Sequence, residues 1–182
     1  VEGGWSFPNP EVIMIPTLVE QYRRWFEYEK DSHRQLLASL ETVPEEGRLS
    51  ETFQKALTLM SHMVAARQMW LYRFGGPVER PANLFPTDAT YEGVLSELEV
   101  IERHWSDYFG RLDEPELERA FDYATSEGMR FRSVVVDVLT QLFSHSFYHR
   151  GQIASLVRAA GGEPAKTDFI FWTREAISPT AS

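Results

Sequence analysis

Four amphipathic stretches, each cut off by prolines or paired glycines, decide what this chain can fold into. Pro16-Thr17 opens the first, where Tyr22, Trp25, Phe26, Leu36, Leu37 and Leu40 recur with a helical period, and Val43-Pro44 closes it. Ser50 has the chemistry of an N-cap for the second, with Glu51 favouring the positive end of the helix dipole. Its stripe is Phe53, Leu57, Met60, Met63, Trp70 and Phe74, and Gly75-Gly76-Pro77 stops it. The third spans Tyr91 to Leu112 around Val94, Leu98, Ile101, Trp105 and Phe109, and ends at Asp113-Glu114-Pro115. The fourth runs from about Ser133 to Ala160 and stops at Gly161-Gly162. Between the third and fourth, Leu117, Arg119, Phe121 and Tyr123 alternate with acidic residues, so a small β-hairpin is expected around 116–132. The expected fold is all-α, an up-down four-helix bundle in one domain covering 1–182. An irregular N-terminal arm (1–15) precedes it. A C-terminal segment (163–182), carrying Phe169, Ile170, Phe171 and Trp172, is expected to pack back on the bundle.

Composition narrows the function. The net charge is −9 and no Lys/Arg cluster is present, which argues against nucleic acid and against an anionic membrane surface. No apolar run approaches ~18 residues, and no signal-peptide pattern is visible, so a soluble, cytoplasmic protein is the expectation. The chain has no cysteine. Disulfides, thiolate metal sites and a cysteine nucleophile are therefore excluded, and any metal must be held by His, carboxylate, amide or water.

His145 and His149 stand four residues apart on the fourth helix, so their rings lie ~40° apart around the axis and ~6 Å along it. That spacing lets both reach one ion at ~2.0–2.1 Å. Zinc proteases share it but place a Glu after the first His as base; here the residue is Ser146, and that reading fails. Alone, the pair is a weak signal and reads first as ordinary core or surface histidines. His62 falls near the middle of the second helix, and bundles build metal sites from side chains on facing helices. His33 follows Glu29 by one turn and reads as a surface acid–His pair or as pocket lining. His104 reads as solvent-facing, Tyr148 as packing, and Arg150 as a partner for Asp168.

Several separated motifs resemble the DinB/YfiT-like family of metal-dependent bacterial proteins, unrelated to the DNA polymerase that shares the name. They are Tyr28…Arg34-Gln35-Leu36-Leu37, Ser61-His62-Met63-Val64-Ala65-Ala66, His145-x-x-x-His149-Arg150-Gly151-Gln152-Ile153 and Gly161-Gly162-Glu163-Pro164. The resemblance covers roughly Thr17 to Trp172. It implies a four-helix bundle in which His62, His145 and His149 bind a divalent transition metal, zinc first, with nickel, manganese and iron as alternatives. It also implies a homodimer. Some relatives are thiol-dependent: bacillithiol S-transferases and mycothiol-dependent maleylpyruvate isomerase. The isomerases use a carboxylate ligand, which Ser144 and Ser146 do not supply.

The expected function is therefore a metal-dependent enzyme that activates a small thiol or water on a small-molecule substrate, such as a low-molecular-weight thiol. Glu29, His33 and Gln152 are its candidate pocket residues, while the catalytic groups stay unassigned. Two other readings stay open: a non-catalytic stress-response or small-ligand-binding bundle with a structural metal, and an interaction protein without metal.

Overall fold

The structure, a computed structural model, describes residues 15–125 and 127–176. The expected arm before Ile15, Ser126 in the hairpin turn and the last residues of the tail lie outside the described residues. Among them are seven helices and one two-stranded sheet: α1 (Leu18–Glu41), α2 (Glu45–Arg48), α3 (Glu51–Arg73), α4 (Tyr91–Arg111), α5 (Glu114–Glu118), β1 (Ala120–Ala124), β2 (Arg130–Val134), α6 (Val135–Ala159) and α7 (Phe169–Thr173).

The helix ends follow local chemistry. Thr17 caps α1 in a reciprocal capping box: its side chain accepts from the Glu20 N–H, and Glu20 accepts from the Thr17 N–H. Ser50 caps α3 by accepting from the Phe53 N–H. Gly75 closes α3 at φ +81°, a conformation most residues avoid, while the Gly76 N–H reaches back to the Leu71 carbonyl.

The four long helices share one core in which Leu40, Met60, Leu139 and Ile153 are fully enclosed. α1 packs on α4 and α6, and α3 packs on the same two. Their directions do not alternate as an up-down chain would. Tyr22 at the start of α1 donates to the Val136 carbonyl at the start of α6, so these two run parallel. Arg23 donates to the Phe109 and Leu112 carbonyls at the end of α4, so α1 and α4 run opposite.

The reason lies in the crossover, residues 74–90, which runs back along the whole of α3. Gln68 donates to the Glu79 carbonyl, His62 to that of Leu84, and Gln54 to those of Thr87 and Ala89. α4 therefore starts beside the start of α3 and runs parallel to it.

The hairpin is present, with Ala120 paired to Val134 and Tyr123 to Phe131. Two boundaries differ from the sequence reading. Leu117, expected in a strand, lies in α5, which Asp113 caps by accepting from the Glu116 N–H. Ser133 and Val134 complete β2, so the last long helix starts at Val135 rather than near Ser133. The polar loop 45–48 is the single helical turn α2, whose Gly47 lies so close to the Ala160 carbonyl that a Cβ would clash.

The tail does pack back. Ser39 Oγ donates to the Glu163 carbonyl and accepts from the Ala165 N–H, and the rings of Phe169 and Trp172 lie against Tyr28. No described helix is long and apolar enough to cross a membrane.

Candidate metal centre

α3 and α6 pack side by side, and their middles bring His62, His145 and His149 together. His145 Nε2 is 3.1 Å from His62 Nε2 and 3.0 Å from His149 Nε2. Nitrogens sharing a tetrahedral ion at ~2.05 Å are about 3.3 Å apart, so the group is close to the size an ion requires.

The outward nitrogens decide what the inward ones offer. His62 Nδ1 lies 2.7 Å from the Leu84 carbonyl oxygen, which can only accept. His149 Nδ1 lies 2.7 Å from Gln152 Oε1, likewise an acceptor. Both Nδ1 atoms therefore carry the proton, and in the neutral rings both Nε2 atoms present bare lone pairs. Phe85 stacks on the His62 ring at 3.9 Å between centroids and 8° between planes, which fixes its tilt. A proton on His145 Nε2 could satisfy only one of its two neighbours.

Protonation is also resisted electrostatically. Burial lowers the pKa of His145 to about 4, with the His149 and His62 charges and Arg67 acting in the same direction. Burial likewise lowers His62. Three imidazoles whose Nε2 atoms converge, two of them with an acceptor on the outward Nδ1, are a donor set that fits a divalent transition ion. Among the described residues no carboxylate joins the three, so the group has the count of an open site rather than a closed four-ligand one.

Beneath the triad is a buried charge network. Glu29 Oε1 forms an ion pair with Arg67 Nη2 at 2.7 Å and accepts from Arg150 Nη1 at 3.1 Å. Arg67 also donates to Ser146 Oγ at 2.6 Å, and Ser146 donates on to the Leu142 carbonyl. Arg150 donates to Tyr28 Oη, which donates to the Thr167 carbonyl. Burial alone would raise the pKa of Glu29, but Arg67, His33 and Arg150 together bring it down to about 2. Among the described residues Glu29 Oε2 and Trp105 Nε1 have no hydrogen-bond partner, and Glu29 and Trp105 line one small cavity with room for about a single water.

Several sequence readings are thereby placed or corrected. Gln152 orients His149 from one turn away. Glu29 and His33 are each only 1% exposed, so they are not a surface pair; His33 Nδ1 lies 2.7 Å from Glu102 Oε1. Arg150 pairs with Glu29 and Tyr28, not with Asp168, because the buried carboxylate is the stronger demand. Tyr148 is exposed rather than packed, and His104 is half-buried on α4, outside the triad. Leu84 and Phe85 were missed. Their one signal was the length of the proline-containing 78–88 loop, since long loops in compact chains are commonly functional.

Two comparisons place the chain among known proteins. The sequence profile of the DinB family matches residues 15–179. Protein DinB of Bacillus subtilis (strain 168) is 23% identical over 156 residues, covering 79% of this chain and 88% of the relative.

Proposed function

This chain belongs to the DinB family, and on that premise we propose that His62, His145 and His149 hold a divalent ion, zinc first, in an enzyme that activates a small thiol or water for S-transfer or hydrolysis. One observation carries the reading: three Nε2 atoms converge while Leu84 and Gln152 hold the outward protons of His62 and His149. A divalent ion lowers the pKa of a coordinated water or thiol enough to form a nucleophile near neutral pH.

The chain's own residues do the rest. Phe85 and the crossover hold His62, Gln152 holds His149, and the Arg67–Glu29 pair braces Ser146 beside His145. The same reading takes the four long helices as a four-helix bundle with one crossover, in a cytoplasmic homodimer. Among the described residues, the absence of a carboxylate ligand favours the thiol or water chemistry over the isomerase type, and the three-ligand count favours it over a structural metal.

Elemental analysis of the untagged protein tests the centre. Metal near one equivalent should fall greatly in His145→Ala and His149→Ala while the helical circular dichroism survives. Equal metal in the wild type and both variants would refute the triad. A thiol-transfer screen on the metal-loaded protein then tests the chemistry.

A further inference from the structure

Along the seam between α3 and α6 runs an open groove of about 630 Å³, a volume typical of small-molecule sites. Leu59 of α3 and Leu156 of α6 make its apolar walls, and Gln152 and Tyr148 make the end next to His149. Gln152 touches the His149 ring directly, and the Tyr148 ring lies against it at 5.2 Å. The groove thus ends one side chain away from the His149 ring.

Two of its residues are out of keeping with a surface that serves only this chain's own packing. Gly151 lies well inside α6, where glycine is a poor helix former. A Cβ built there meets nothing within 4 Å, and its φ is not positive. Neither backbone conformation nor internal packing accounts for the glycine; the space it leaves opens into the groove. Among the described residues of this acidic chain, Lys55 is the only charged one lining the groove, and it makes no ion pair. Lys55 and His62 are seven residues apart on α3, hence on the same face and on the order of 10 Å apart along the axis.

We propose that this groove binds the substrate, a small amphiphilic anion whose apolar body lies over Gly151 and whose charge meets Lys55, with its reactive head at the histidine triad. The head-group part rests on the metal reading above; the groove and its anion preference do not. Lys55 and Gly151 are specificity residues and touch none of the three histidines.

Octanoate and octan-1-ol, titrated into metal-free protein by calorimetry, test the groove by itself. Octanoate should bind about fivefold tighter than the alcohol, the order expected of one ion pair partly shielded from water. Lys55→Gln should erase that difference. Gly151→Leu should weaken both ligands at least tenfold without lowering Tm, because a better helix former replaces glycine in open space. A second arm uses 8-mercaptooctanoate on zinc-loaded protein, where the thiol should add at least tenfold over octanoate.

Equal binding of octanoate and octanol to the wild type would overturn the proposal. So would octanoate binding unchanged in Gly151→Leu, or a groove buried by self-association of the chain and closed to octanoate. If the octanoate arm holds and the thiol adds nothing despite loaded zinc, the head-group half fails and the groove stands. If zinc does not load at all, the fault lies with the metal reading, and the octanoate arm still decides the groove.

Discussion

A histidine becomes a metal ligand through the atom it does not offer. His149 presents Nε2 inward because Gln152 Oε1 takes the proton on Nδ1 at 2.7 Å. Replacing Gln152 with leucine keeps the bulk and removes the acceptor, so the tautomer and ring angle are no longer fixed. Loss of such an orienting partner typically costs 10–100-fold in metal affinity. Gln152→Leu should show that loss in a titration against a competing chelator, with unchanged helicity; unchanged affinity would mean the ring is held by packing alone. The sequence displayed the three histidines, and Gln152 followed one turn on. Glu29, Arg67 and Arg150 lie on three different helices, and in the sequence Glu29 and His33 read as a surface pair or pocket lining. The pairing of the three charges was not legible, because helical period does not tell which charge of one helix meets which charge of another. Asp168 was nearer to Arg150 in sequence, yet Glu29 is its partner.

At the level of elements, the crossover 74–90 does more than connect. It supplies the carbonyl of Leu84 and the ring of Phe85 to His62, and is pinned to α3 by Gln54 and Gln68 at its two ends. The four long helices and their stops were readable because period and glycine or proline punctuation are local signals. The direction of α4 was not, since it depends on how far an irregular loop travels. A Gln54→Ala/Gln68→Ala double variant removes hydrogen bonds worth roughly 0.5–1.5 kcal/mol each while leaving every residue of the triad in place. Hydrogen exchange across residues 78–88 should accelerate, and metal affinity should fall several-fold as the Leu84 acceptor loosens. Faster exchange with unchanged affinity would show that the loop covers His62 without positioning it.

For the whole molecule, the buried network ties stability to pH. Glu29 joins α1 to α3 through Arg67 and to α6 through Arg150. Its pKa is about 2 in the folded chain against a reference value of 4.5, because the two guanidinium groups and His33 outweigh the cost of burial. A carboxylate with a depressed folded pKa contributes stability that is present above the unfolded value and lost as pH falls through the folded one. The window is therefore pH 4.5 down to about 2, and the contribution is on the order of 3 kcal/mol. Glu29→Gln leaves two arginines in the core without their counter-charge, a change that in buried ion pairs costs roughly 3–5 kcal/mol. At pH 7 the variant should unfold at clearly lower urea than the wild type. As pH falls below 4.5 the wild type should lose stability faster, and the two curves should converge near pH 2. The arginines and lysines remain charged in both proteins, so their mutual repulsion at low pH cancels in the comparison. Parallel curves across that range would mean that the acid sensitivity resides in surface carboxylates, and that Glu29 contributes through shape rather than charge.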